Sequence, residues 1–241
     1  MNTSLASLIH HYQPSKETIH LVDATPLLLV VGVTGAGKDT IISALKERAD
    51  FHRIISHTTR PPRQNFGIME VHDEHYHFIS HDEAESMVKA HEFVEVKYVH
   101  GNVYGTSVAE FQKIVDKQQI AMTDIDIQGV KEYLAIKPDT HAIFLLPPSA
   151  REWEQRLIKR YGDLNKQKGE ITKRLITARY ELNDAMRDER FVVVVNDELE
   201  RTIQRVLGVA KKEVDHTSDM AQSIADELLV YIEQMISTLD A

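Results

Sequence analysis

Residues 32–40 read Gly-Val-Thr-Gly-Ala-Gly-Lys-Asp-Thr and directly follow the apolar run Leu27 to Val31. Gly32, Gly37 and Lys38 keep the spacing of a phosphate-binding loop, with Asp39 where that motif usually places Ser or Thr. Each part has a physical job. The glycines let the backbone fold tightly, so that its N–H groups turn inward toward phosphate oxygens. The helix expected to start near Lys38 offers the positive end of its dipole to the same oxygens. Lys38 adds a mobile full charge that can follow a phosphoryl group in transfer. Ile41, Ile42 and Leu45 give the helical pattern that must follow the loop. The candidate triphosphate contacts are therefore Gly32, Thr34, Gly35, Ala36, Gly37, Lys38, Asp39 and Thr40.

A second group of residues suits a second anion. Arg60 and Arg63 lie three apart in a turn stiffened by Pro61-Pro62, and can fork onto one phosphate with little ordering cost. Tyr76 and Tyr104 can add neutral O–H donors, and Glu95 on a predicted strand can accept two N–H bonds from a guanine edge. The chain has 13 histidines, with His72, His75, His77 and His81 clustered. There is no cysteine, and His77 and His81 straddle a predicted strand-to-helix junction. Solvated or locally bonded histidines are the preferred reading over a zinc site.

Short apolar strands alternate with helical patterns along the chain. Strands are expected at 27–31, 53–56, 76–79, 94–99, 120–125, 141–146 and 191–195. Helices are expected at 40–48, 80–91, 106–117, 128–135, 149–161, 171–186 and 199–214. That alternation predicts an α/β fold with a parallel sheet covered on both faces. Ligands of such sheets bind beyond the carboxyl ends of the strands. The glycine loop, Ser56, Asp124, Asp126 and Asn196 all follow predicted strands and are expected to gather on one rim. Residues 1–24, polar and broken by Pro14, read as an appendage. Near the other end Met220, Ile224, Leu228, Tyr231, Ile232 and Met235 recur at helical spacing. That face is expected to pack on the domain's own core, with a homodimer contact as its alternative use.

Composition sets bounds on these readings. In 241 residues, 42% hydrophobic and 27% charged content is that of a globular protein with a substantial core. No apolar run approaches the roughly 20 residues that cross a bilayer. Met1 to Tyr12 lacks the basic start and apolar centre of a secretory signal, and without cysteine no disulfide can form; a cytoplasmic location and no membrane partner are expected. The formal net charge of −9 argues against nucleic acid as a partner, but not against a nucleotide in a local positive pocket.

The motifs continue in one order: Ser56-His57-Thr58-Thr59-Arg60-Pro61-Pro62-Arg63, Tyr76-His77-Phe78, His100-Gly101-Asn102-Val103-Tyr104-Gly105-Thr106-Ser107, Asp124-Ile125-Asp126-Ile127-Gln128-Gly129 and Val193-Val194-Val195-Asn196-Asp197. In this the chain resembles the guanylate kinase family over residues 27–210. The resemblance implies a three-layer P-loop nucleoside monophosphate kinase fold, with a central parallel sheet, helices on both faces, a small mixed NMP-binding domain and a lid. It implies ATP-dependent phosphoryl transfer to GMP, giving GDP and ADP, with Mg²⁺. Its domains would be an N-terminal extension 1–24, a kinase domain 25–215 and a C-terminal helical extension 216–241. Within the kinase domain the core would be 25–56 and 109–215, the NMP-binding part 57–108 and the lid 157–179.

Residue by residue, the resemblance implies that Arg60, Arg63, Tyr76 and Tyr104 hold the GMP phosphate. Glu95, Ser56 and Thr106 would read guanine, with Asp124 helping. Lys38 would bridge donor and acceptor phosphates beside the lid arginines Arg160 and Arg174, making these three the catalytic set. Arg156 and Asn196 would lie on the ATP side, and Asp126 would support magnesium or the base site, while the Asp39 carboxylate, a hard oxygen donor, is a candidate magnesium ligand on its own chemistry. Asp39 departs from the family pattern, as do longer stretches between Arg63 and Glu70 and between Arg160 and Arg174. Asp39 also occurs in the related ribose 1,5-bisphosphate phosphokinases, which are the alternative enzyme reading. A non-catalytic guanylate-kinase-like binding module is the other alternative.

Overall fold

The computed structural model describes residues 4–65, 68–164 and 166–240. The middle of the longer stretch after Arg63, one position of the expected lid and both chain ends therefore lie outside the described residues. The chain forms two compact units, one of residues 27–48 with 124–241 and one of residues 1–26 with 49–123.

In the first of these, strands Phe191–Val195, Ala142–Leu146 and Leu27–Gly32 run parallel in that order. Every residue of all three is buried, which is why the sequence shows apolar runs rather than alternation. Helix Lys38–Lys46 buries Ile41, Ile42 and Leu45, the three positions read from the sequence. Helix Lys168–Arg187 buries Ile171, Leu175, Ala178, Leu182 and Ala185, a stripe at spacings of four and three. The C-terminal helix Asp219–Asp240 buries Ala221, Ala225, Leu228, Ile232 and Leu239. It packs within its own unit: Arg179 pairs with Glu233 at 3.0 Å, and the Tyr231 ring lies 5.9 Å from that of Trp153. Met220, at its start, stays 58% exposed.

The other unit holds a mixed sheet in the order His77–Phe78, His57–Thr58, Asn102–Ser107, Phe93–Val99. The first pairing is parallel and the other two antiparallel. Strand Phe51–Arg53 pairs in parallel with Ile120–Asp124. The aperiodic stretch after Arg63 contains a small hairpin, Gln64–Asn65 against Ile68–Met69. Helix His81–Lys89 begins at Ser80 with a reciprocal capping box to Glu83, as its Ser start and acidic first turn predict.

The N-terminal residues, read from the sequence as a polar appendage, hold two helices. Helices Leu5–His10 and Lys16–Ala24 flank Pro14, and each is capped by a serine hydroxyl, Ser4 and Ser15. Ile9 joins Ala84, Val88, Phe93 and Val103 in a buried cluster. Two short helices need only one or two buried apolar positions each, too few to stand out in a polar sequence.

Gly32 ends its strand where the neighbouring backbone comes closest. A Cβ there would meet the Leu145 carbonyl oxygen at 2.5 Å, across the pairing of Gly32 with Leu145. Gly32→Ala is expected to destabilise the chain by about 2 kcal/mol, the usual cost of overpacking. A urea titration checks this: the midpoint falls and the slope stays unchanged.

Candidate active site

The phosphate-binding loop is held from outside by side chains that occupy its carbonyls. Trp153, fully buried, donates Nε1–H to Thr34 O at 2.7 Å. Asn196 donates Nδ2–H to Ala36 O at 2.7 Å, and Arg156 adds a bond to the same oxygen at 3.3 Å and one to Asn196 O at 3.3 Å. Gly37 turns into the helix with φ of 96°, and a Cβ there would meet Asn196 Nδ2 at 2.3 Å. Left-handed backbone and close approach together demand glycine. Lys38 Nζ donates to Gly32 O and lies 3.5 Å from Val33 O. The first amides of helix Lys38–Lys46, which its own ladder cannot use, remain for an anion.

A cavity of about 470 Å³ opens over this loop. Gly32, Thr34, Gly35, Gly37, Lys38, Asp39 and Thr40 line it, with Asp124, Asp126, Arg160, Arg174, Thr177 and Glu181. The three expected catalytic cations and both expected metal ligands thus meet in one place. Ala36, Arg156 and Asn196 are not among its walls; Arg156 and Asn196 brace the loop from behind at the Ala36 carbonyl. Asp124 ends its strand and Asp126 caps helix Ile127–Ile136, accepting from Gly129 N–H at 2.7 Å.

Glu181 escaped the sequence reading. It was legible in principle, since Arg174, Thr177, Ala178 and Glu181 share one helical face. Burial, with the Asp126 charge adding to it, raises the Glu181 carboxyl above its usual range against the pull of Lys38. Burial likewise lowers the Lys38 ammonium, opposed by Glu181, Asp39 and Asp124. Three cations face four carboxylates here, a balance that repels a bare triphosphate. Hard carboxylate and hydroxyl oxygens are the donors Mg²⁺ prefers, so the residues present fit a magnesium–nucleotide complex.

The second cluster lies within the other unit. Arg60 Nη2 donates to both Glu70 carboxylate oxygens, at 2.9 and 2.7 Å, and its guanidinium sits 5.4 Å from the centre of the Tyr76 ring. Arg63 donates its backbone N–H to Glu70 at 3.0 Å, and its side chain lies 3.5 Å from the same carboxylate. The Tyr76 and Tyr104 rings are 6.3 Å apart. Thr106 Oγ1 donates to Glu95 Oε1 at 2.8 Å, across the pairing of Glu95 with Thr106. Ser56 is half-buried and its carbonyl accepts from His77 N–H at 2.9 Å. Glu70 is the residue that sequence reasoning left without a role. Only the hairpin after Arg63 brings it back, through a 3.0 Å bond from Glu70 N–H to Arg63 O.

The four clustered histidines, His72, His75, His77 and His81, are locally bonded. His72, Asp73 and His77 bring ligand atoms within 4.8 Å of one another. Yet His72 Nδ1 accepts the Phe78 N–H at 3.0 Å, so its Nε2 carries the proton that faces Asp73 at 3.0 Å. A neutral imidazole has one lone pair, and this one is used.

A P-loop fold with three cations and four carboxylates around its phosphate cavity, and a separate arginine–tyrosine cluster, is the arrangement of the nucleoside monophosphate kinase class. A family model, Guanylate kinase, matches residues 24–213, and the chain belongs to that family. Among curated relatives it is 34% identical over 202 residues to "Guanylate kinase 1" of Oryza sativa subsp. japonica, covering 83% of this chain and 51% of that protein. It is 33% identical over 211 residues to "Guanylate kinase" of Histophilus somni, covering 85% and 97%. The chain spans about half the length of the two plant relatives it matches, 51% and 47%. A crystal structure of guanylate kinase from Anaplasma phagocytophilum shares the fold with a TM-score of 0.53 at 24% identity, over 78% of this chain and 85% of that one. Among the described residues no helix is long and apolar enough to cross a membrane.

Burial alone would raise the Glu70 carboxyl; the Arg63 N–H, the Arg60 bonds and both guanidinium charges outweigh it and hold it below its usual range. A depressed carboxyl stabilises the fold above its unfolded value and loses that contribution as pH falls through the folded one. Glu70→Gln is therefore expected to cost about 2 kcal/mol at neutral pH, the scale of a hydrogen bond to a charged group. The gap between variant and wild type should close on acidification below the usual glutamate range, as urea titrations at each pH would read.

Proposed function

We propose that this chain transfers the γ-phosphoryl group of ATP to GMP, giving ADP and GDP. The observation that carries the reading is the cavity where Lys38, Arg160 and Arg174 converge over a braced phosphate loop. Phosphoryl transfer asks little covalent chemistry of a protein; it asks for in-line positioning and for positive charge around the transferring group. Gly32 to Thr40 would bind the ATP phosphates through backbone N–H groups, and Lys38 would leave the Gly32 carbonyl to follow the group in transfer. Arg160 and Arg174 would neutralise charge developing on its equatorial oxygens. Asp39, Asp126 and the neighbouring Glu181 would hold Mg²⁺, which neutralises phosphate charge when bound.

In the acceptor site, Arg60 and Arg63, held in place by Glu70, would grip the GMP phosphate with Tyr76 and Tyr104. Glu95, oriented by Thr106, would accept N–H bonds from guanine, with Ser56 adding to the base contacts. The acceptor is a phosphate oxygen already largely deprotonated, so no strong general base is required. Arg156 and Asn196 would act on ATP through the loop they brace.

A coupled assay of ADP release with ATP and Mg²⁺ tests this, run with GMP, AMP, CMP and ribose 1,5-bisphosphate as acceptors. Turnover is expected with GMP. Turnover with the ribose bisphosphate alone would overturn the substrate, and tight GMP binding without turnover would make the chain a binding module. Lys38→Ala should lower kcat by about a thousandfold, the scale of losing one transition-state contact, with GMP affinity unchanged by calorimetry. Arg60→Ala should act on the other quantity, raising KM for GMP. Asp39→Ser removes a carboxylate facing the triphosphate, and tighter ATP binding in the presence of a chelator is expected.

A further inference from the structure

We infer that Tyr12, in the N-terminal segment that precedes the family-matched region, is a positioning residue for guanine recognition. Its hydroxyl fixes the β-bulge that turns Glu95 toward Thr106. The inference rests on Glu95 facing the base.

Strand Phe93–Val99 is the edge of its sheet, so one side of its backbone has no neighbouring strand. Tyr12 covers that side at one residue. Its O–H donates to Phe93 O at 2.5 Å, and its oxygen accepts the Phe93 N–H at 3.1 Å. A single hydroxyl can do both because it is donor and acceptor at once. The register breaks just there. Phe93 pairs with Ser107 and Glu95 with Thr106, so Val94 is the extra residue of a bulge.

A one-residue slip moves side chains to the other face of a strand. Phe93 and Val94 are accordingly both buried in succession, at 0% and 1% exposure, and Glu95 emerges half-buried opposite the Thr106 hydroxyl that bonds it at 2.8 Å. Without the bulge Glu95 would follow Phe93 onto the apolar face. Tyr12 is itself held firmly. Its ring lies 5.6 Å from that of His91. His91 in turn bonds Gln13 O at 3.1 Å.

The test compares full-length wild type with Tyr12→Phe, Ile9→Ala and Glu95→Gln. Acceptors are GMP and inosine monophosphate, which lacks the exocyclic amine. Loss of the hydroxyl, and with it both bonds to Phe93, should raise KM for GMP roughly fivefold in Tyr12→Phe, at unchanged kcat and with a weaker preference over inosine monophosphate. Backbone deuterium exchange across residues 92–98 should quicken in the same variant. Ile9→Ala should lower Tm without changing the GMP preference. Wild-type KM and exchange in Tyr12→Phe would overturn the inference, as would Ile9→Ala reproducing its loss of preference. A Glu95→Gln variant with unaltered GMP preference would strike the site reading instead, and the exchange data would then decide alone whether Tyr12 holds the bulge.

Discussion

The arrangement rests on carbonyl oxygens that are already taken. A glycine-rich loop presents N–H groups to an anion only if its carbonyls have other partners, since free carbonyls would repel phosphate and let the loop turn over. Here Trp153, Arg156 and Asn196 occupy the carbonyls of Thr34 and Ala36. Two of these braces come from one helix, Ala150–Tyr161, and the third from the residue after a fully buried strand. The phosphate cradle is thus tied to the most deeply buried part of its unit. That gives preorganisation, because little need reorder when charge arrives.

Charge balance bears on the ligand proposed for the cavity. Lys38, Arg160 and Arg174 face Asp39, Asp124, Asp126 and Glu181 across one cavity. Such a site is poor for a free triphosphate and well suited to one carrying a divalent cation. The opposed shifts of Lys38 and Glu181, both driven first by burial, express the same crowding. Asp39 in place of a hydroxyl fits this pattern as one more hard oxygen among several.

The Arg60–Arg63 cluster uses a different device. Arg60 and Arg63 would repel each other and lose rotamer freedom on binding an anion. Glu70 removes both difficulties by holding them together beforehand, and its own burial is offset by the bonds it accepts. Pairing the two arginines with a carboxylate leaves an ordered, partly neutralised clamp, so that a phosphate has less entropy to remove on binding.

Local pattern determined much of this chain. The loop, its flanking buried strand and the helix after it followed from glycine spacing and from residues whose burial repeats every three or four positions. The apolar runs at 142–146 and 191–195 announced strands covered on both faces. Ordered motifs marked Arg60, Arg63, Glu95, Arg160 and Arg174, and the fold places the last two in one cavity with Lys38. Tertiary structure alone assigned Glu70, because a hairpin with no periodic signal folds it back onto the arginines. It also turned Arg156 and Asn196 into braces of the loop, and made a polar N-terminal stretch into two docked helices. A sequence records which residues can share a face within one element. Which elements meet, and so which carboxylate neutralises which cation, depends on packing between residues far apart in the chain, and no spacing encodes that.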